Sequence, residues 1–191
     1  VQMIRPKNIL EVGTFSGYSA ICMAEGLEED GKLYTFEIND EMEDFTRPWI
    51  EGSPVADKID FRIGDAAEEA PKLGILFDMA FVDGDKRNYT EVYEKLLPII
   101  RSGGYILADN TLWDWNVIDT AYDHDQQTIG SRRFNDFIAK DDRIEKVILT
   151  IRDGLTLIRK RYKLHIAGPS PLLLTHREGS DHSKGITITI I

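Results

Sequence analysis

Five short apolar runs alternate with segments of helical spacing, and a carboxylate stands at the end of every run. The runs are Ile9–Val12, Lys32–Glu37, Ile59–Ile63, Phe77–Val82 and Tyr105–Ala108. Phe77–Val82 is nearly all apolar, as a central strand covered on both faces should be. Ser19–Leu27, Glu41–Ile50, Ala66–Leu73 and Tyr89–Ile100 lie between the runs as helices, with Asn39 or Asp40 capping the second. In the last of these, Val92, Leu96, Leu97 and Ile100 share one face. Gly103-Gly104 reads as the turn into the fifth strand, and a further helix covers Phe134–Ile138. Ile144–Ile151 and Leu155–Ile158, joined by Arg152-Asp153-Gly154, read as a terminal hairpin. Such β-then-α repetition predicts an α/β fold: a mostly parallel sheet with helices on both faces.

Ligands of such folds sit at the carboxyl ends of the strands. Those ends read Glu11-Val12-Gly13, Glu37, Gly64-Asp65, Asp83 and Asp109-Asn110. Solubility alone would scatter acids elsewhere too, so acids at all five ends point to a site. The loop Glu11–Ser19 has glycines at 13 and 17. Phe15 stands where a dinucleotide fingerprint needs its middle glycine for close approach to a pyrophosphate. A nucleoside cofactor without phosphates fits better, and Glu37 can accept from both ribose hydroxyls.

Asp83 and Asp109-Asn110 end the fourth and fifth strands, which should be neighbours. Three oxygen donors without histidine or cysteine select Mg²⁺, Ca²⁺ or Mn²⁺ over zinc. His124 stands alone in a loop, and Cys22 has apolar helical neighbours; both read as structural. Lys86 follows Asp83 by three residues. A lysine there is ordinarily a solvated charge. Beside a dication its charged form is disfavoured, which suits a general base.

The formal net charge of −10 opposes nucleic acid phosphates and suits a small-molecule enzyme. No run reaches the length of a membrane-spanning helix. With one cysteine and no secretory signal at its start, the chain is expected to be cytoplasmic, with no membrane partner. Residues 1–161 form the expected domain, reaching a strand so soon after Val1 that an N-terminal segment is expected to precede it. Residues 162–191 hold three of the four histidines and turn weakly basic. They read as an appendage, with an alternating, strand-like run at 185–191.

Taken together, these residues resemble the cation-dependent O-methyltransferases that use S-adenosylmethionine, the family of caffeoyl-CoA and catechol O-methyltransferases. The resemblance runs from Pro6 to Arg161. It is carried by Ile9–Ala20, by Phe-Val-Asp-Gly-Asp-Lys-Arg-Asn-Tyr at 81–89, by Asp-Asn-Thr-Leu-Trp at 109–113 and by Arg152–Arg161. It implies a Rossmann-like class I methyltransferase fold, a seven-stranded sheet whose last strand is antiparallel. It also implies that Glu11, Gly13, Thr14 and Ser19 surround the methionine part of the cofactor, with Tyr18 nearby. Glu37 would hold the ribose, Asp65 and Ala66 would border the adenine, and Asp83 and Asp85 would lie by the methionine end. Asp83, Asp109 and Asn110 would hold the divalent cation, with Lys86 as base and Trp113 walling the acceptor pocket. Asp114 replaces an asparagine that touches substrate in plant members, so plant-type acceptor specificity is not carried over.

The leading expectation is methyl transfer from S-adenosylmethionine to a hydroxyl of a catechol-like or hydroxyphenol small molecule. One alternative is methylation of a hydroxylated uridine in tRNA, which a basic patch of Arg132, Arg133, Lys140 and Arg143 would support. Another is a non-catalytic S-adenosylmethionine or metal-binding protein. Members of the family are often homodimers, and the sequence alone does not decide oligomeric state.

Overall fold

The structure, a computed structural model, describes residues 1–162 of the chain; the alternating run at 185–191 lies outside them. Seven strands form one sheet in the order β3-β2-β1-β4-β5-β7-β6. They are β1 (Asn8–Val12), β2 (Lys32–Glu37), β3 (Ile59–Ile63), β4 (Phe77–Val82), β5 (Ile100–Ala108), β6 (Ile144–Leu149) and β7 (Leu155–Lys160). The first five strands pair in parallel, and β7 runs antiparallel to both β5 and β6. The helices are α1 (Tyr18–Glu25), α2 (Glu43–Glu51), α3 (Ala66–Glu69), α4 (Tyr89–Leu96) and α5 (Gln126–Lys140).

Alternate side chains of each strand feed two cores, one on each face of the sheet. Leu10, Phe36, Ala80 and Ile106 pack with Tyr89, Tyr93 and Leu96 of α4 and with Phe134 and Ile138 of α5. Ile9, Leu33 and Met79, an odd number of residues from those on the same strands, point the other way, onto Ala20 and Ala24 of α1 and Ile50 of α2. Helices therefore cover both faces, as the β-then-α repetition predicts.

Register gathers the strand ends on one rim. Val12 sits level with Phe36 and Val82, Val82 with Ala108, and Glu37 with Ile63. The residues that follow, Gly13, Asp83, Asp109 and the Gly64-Asp65 pair, must then leave the sheet side by side. Because β7 is antiparallel, with Thr156 opposite Ala108, the turn that enters it, Arg152–Gly154, lies at the same rim.

Several local expectations are corrected. Helix α4 stops at Leu96 rather than Ile100, because Pro98 cannot continue it; a 3₁₀ turn spans Leu97–Ile99. Gly103-Gly104 is no turn but lies inside β5, which starts at Ile100 and slips register against β4 between Phe77 and Met79. Gly103 has φ +78°, which accommodates that irregularity. Phe134–Ile138 lies in a helix as expected; that helix, α5, begins well upstream, where the Asp125 side chain caps it by accepting from the Thr128 amide (2.8 Å). Cys22 lies in α1 between Ile21 and Met23, as expected, but on its exposed side, since Ala20 and Ala24 form the inward face.

Candidate active site

The first loop is built around close backbone approach. Gly13 has φ +94°, and a Cβ there would run into the carbonyl of Asp83. Only glycine lets the loop after β1 press against the loop after β4. Glu37 braces the same loop. Its Oε2 accepts from the Phe15 amide (2.8 Å) and its Oε1 from the Asn39 amide (2.9 Å). Phe15 itself is left-handed, at φ +47°, so this loop holds a conformation that costs about 1 kcal/mol or more.

Below it Glu11 is fully buried. The Thr35 hydroxyl donates to its Oε2 (2.5 Å), and the Thr14 hydroxyl lies 2.6 Å from that of Thr35, so Thr14 is the donor there. Glu11 Oε1 is buried with no partner. Burial pushes the Glu11 carboxyl up to about 7, against hydrogen bonds from Ser19 and Thr35 that pull it down.

Beside this loop a cavity of about 200 Å³ opens, lined by Gly13, Phe36, Ile38, Asp65, Ala66 and Asp85 among others. Asp65 caps α3, accepting from the Ala67 amide (2.8 Å), and Asp85 caps the turn at Lys86–Asn88, accepting from the Arg87 amide (3.0 Å). Both carboxylates therefore also have a local structural task. Tyr18 is exposed, and the side chain of Thr14 is turned inward. A far larger concavity, about 1210 Å³, lies on the flank of the sheet beside Met3, Leu107 and Leu157. Its arginines, Arg101 and Arg159, are already paired with Asp78 and Glu145. The chemistry is concentrated at the rim.

At the rim, β4 and β5 present a second cluster. Lys86 is 2% exposed, against the ordinary expectation of a solvated lysine. Its Nζ donates to Asp83 Oδ1 (3.1 Å), Asn110 Oδ1 (3.0 Å) and the Tyr89 hydroxyl (2.5 Å). Burial pulls its pKa below the usual lysine value, while Asp83 pulls it back up. Asp109 is half-buried, and burial raises its carboxyl. Its Oδ1 accepts from the Asn110 amide (2.8 Å). The strands thus bring Asp83 and Asn110 together around Lys86, with Asp109 adjoining. Trp113 stands with its ring centre 5.7 Å from Lys86 Nζ. Asn110, Trp113, Asp114 and Trp115 all have positive φ, a strained stretch of the kind found at functional sites. Asp114 is exposed beside them.

Three contributors escape a reading of the sequence. The Tyr89 hydroxyl accepts from Lys86 and lies 3.0 Å from the carbonyls of Val82 and Asp109. Gln127 Oε1 accepts from the Lys86 amide (2.9 Å) and ties α5 to this turn. Asp153 accepts from Asn110 Nδ2. Tyr89 follows Lys86 by three residues, which is a signal; the other two are remote in sequence.

Residues 1–161 match the family model described as O-methyltransferase. The chain belongs to the O-methyltransferase family. It is 38% identical over 174 residues to tricin synthase 1 of Oryza sativa subsp. japonica, covering 84% of this chain and 69% of the relative. It is 38% identical over 173 residues to caffeoyl-CoA O-methyltransferase 1 of Eucalyptus globulus, with the same coverage. Among solved structures, the O-methyltransferase from Bacillus cereus in complex with SAH superposes with a TM-score of 0.77 at 32% identity, covering 84% of this chain and 77% of that one. An O-methyltransferase of tomaymycin synthesis from Streptomyces achromogenes, in complex with SAM, gives 0.76 at 28% identity, over 84% and 76%. By family this chain is an S-adenosylmethionine-dependent enzyme of the class I methyltransferase fold. Among the described residues no helix is long and apolar enough to cross a membrane.

Proposed function

We propose that this O-methyltransferase moves the methyl group of S-adenosylmethionine to a hydroxyl of a catechol-like or hydroxyphenol small molecule, with a divalent cation held by Asp83, Asp109 and Asn110. The observation that carries this reading is the buried Lys86 ammonium lying between Asp83 and Asn110. A cation already sits against two of the three oxygen donors, and the donor set is all hard oxygen, which suits Mg²⁺, Mn²⁺ or Ca²⁺. Among the described residues no three His, Cys, Asp or Glu side chains are grouped to hold a metal; the third donor here is the Asn110 amide. Bound there, a dication would supply the positive charge that lowers a phenol's pKa from near ~10 and would hold two vicinal oxygens in one orientation.

Around that group the chain's own residues have separable tasks. Lys86 takes the phenolic proton at Nζ, and burial, which lowers its pKa, favours the neutral form that can do so. Trp113 walls the acceptor side with an aromatic face. On the cofactor side, the cavity wall of Gly13, Phe36, Ile38, Asp65 and Ala66 accepts a flat base, and Glu37 faces the ribose. Glu11 Oε1, buried and unpartnered, suits a cationic group such as the methionine ammonium. Transfer is then a displacement in line with the breaking S–C bond, helped mainly by positioning.

The tRNA alternative has less behind it. Arg132 donates to the carbonyls of Asn116, Val117 and Asp119 and pairs with Asp123, and Arg143 pairs with Asp141 and Glu94. Arg133 donates to the Arg87 carbonyl. These guanidinium groups are already engaged by carbonyls and carboxylates of the chain itself. The test is titration calorimetry with S-adenosylmethionine, with and without Mg²⁺, followed by a methyl-transfer assay on a catechol panel in the same buffers. Cofactor binding with transfer abolished by EDTA is the expected result. Transfer that survives EDTA overturns the metal part of the reading, and binding without transfer to any catechol overturns the acceptor.

A further inference from the structure

An asparagine side chain offers one oxygen and one nitrogen of nearly equal shape, and only the oxygen can hold a hard cation. Which of the two faces the Asp83 side of the site must be decided by neighbours. Asn110 has two charged neighbours that each accept only one answer. The Lys86 ammonium can only donate, and its Nζ lies 3.0 Å from Asn110 Oδ1. The carboxylate of Asp153 can only accept, and its two oxygens lie 2.9 and 3.0 Å from Asn110 Nδ2.

Asp153 is itself firmly placed. Its carbonyl accepts from the amides of Leu112 (2.7 Å) and Trp113 (3.2 Å), and the Gly154 carbonyl accepts from the Thr111 amide (3.0 Å). Gly154 has φ +93°, and a Cβ there would lie 2.8 Å from the Leu112 nitrogen. The turn between β6 and β7 thus seats directly on the segment that carries Asn110. A metal would compete with Lys86 for the Asn110 oxygen, since the ammonium occupies it. Asp153 does not compete, because it holds the nitrogen.

Resting on the metal reading above, we propose that Asp153 is a positioning residue that fixes the Asn110 amide with its oxygen toward the metal side, with Lys86 and without it. Partners of this outer kind are worth about 10–100-fold in metal affinity. The test is Mn²⁺ affinity by electron paramagnetic resonance on the full chain, with melting curves and S-adenosylmethionine affinity measured alongside. Asp153→Ala is expected to weaken Mn²⁺ by about tenfold or more, with cofactor affinity unchanged. Asp153→Asn keeps an acceptor oxygen for Asn110 Nδ2 and is expected to retain most of the affinity. In an Asn110→Asp background, whose carboxylate has no wrong way round, Asp153→Ala is expected to cause no loss.

Equal weakening by Asp153→Asn and Asp153→Ala would mean that the carboxylate acts by its charge, and overturns the proposal. So does an undiminished loss in the Asn110→Asp background, which would mean a purely structural role. An Asp153→Ala protein that binds Mn²⁺ as wild type does overturns it as well. Wild-type protein that binds no Mn²⁺ overturns the metal reading itself, and the proposal with it.

Discussion

Lys86 and Glu11 are both ionisable groups taken out of water, and burial moves both toward their neutral forms. In the mechanism proposed above the neutral amine of Lys86 is the working form, so turnover should rise with pH as the ammonium loses its proton. Lys86→Met keeps an apolar stem in the buried slot and removes the base. A general base contributes about 10²–10⁴-fold, so turnover should fall by that much while S-adenosylmethionine affinity stays within a few-fold. Calorimetry beside a single-turnover assay separates the two, and equal loss of both would count against the base role. Glu11 makes a prediction about stability. Its carboxyl is raised from 4.5 to about 7 in the folded chain, so between those values the native state holds a proton that the unfolded state has lost. Its contribution to stability is therefore full below pH 4.5 and is lost as pH rises to about 7. The loss is of order 3 kcal/mol. Glu11→Gln should flatten that slope and raise stability at pH 8, measured as urea midpoints at pH 5 and pH 8. A slope as steep in the variant would place its source elsewhere at the acidic rim.

At the scale of elements, the sheet puts the site together and single residues lock it. Gly13 is where this is most exposed to test. Gly13→Ala forces a Cβ against the Asp83 carbonyl at a backbone angle that alanine avoids, and should cost about 2–3 kcal/mol. Denaturation would give that cost directly, with loss of cofactor binding accompanying it. The N-cap of α5 is a milder case. Asp125→Ala should cost about 1 kcal/mol. Its turn carries Gln127, which bonds the Lys86 amide, so hydrogen exchange of that amide should quicken along with it. Much of this framework was legible from the chain. The apolar runs and their terminal acids marked β1 to β4 and the rim, because alternation and strand ends are local signals. The start of β5 was not legible, since paired glycines mark a turn more often than an irregular strand. Asp153 was hidden for a different reason. Its place beside Asn110 depends on β7 running antiparallel against β5, a pairing across more than forty residues that no local pattern carries.

Across the whole molecule, parallel pairing has a consequence beyond placing ligands. It turns every strand's end toward one rim, and here those ends carry Glu11, Glu37, Asp65, Asp83, Asp85 and Asp109, with Asp153 added by the antiparallel strand. Some of these charges are offset locally, as Asp85 is by Arg87 and Asp83 by Lys86. The remainder repel one another in a chain that already carries −10. Glu11 and Asp109 register that repulsion, since Asp83 raises both carboxyls in addition to burial. A dication at the rim should relieve it in the folded state only, because the unfolded chain disperses the same acids. Binding to the native state alone stabilises by about 2.7 kcal/mol at a hundredfold excess over Kd, which for a domain of this size raises Tm by about 5–10 °C. Mg²⁺ should therefore raise Tm, EDTA should reverse it, and NaCl at equal ionic strength should give only a small part of it, since screening has no site. Asp109→Asn separates the two effects. It removes one repelling charge, so Tm without Mg²⁺ should rise, and it weakens the site, so the Mg²⁺ increment should shrink. A variant that keeps the full increment would mean that Mg²⁺ acts on the acidic rim as a whole and not through the Asp83, Asp109 and Asn110 donors.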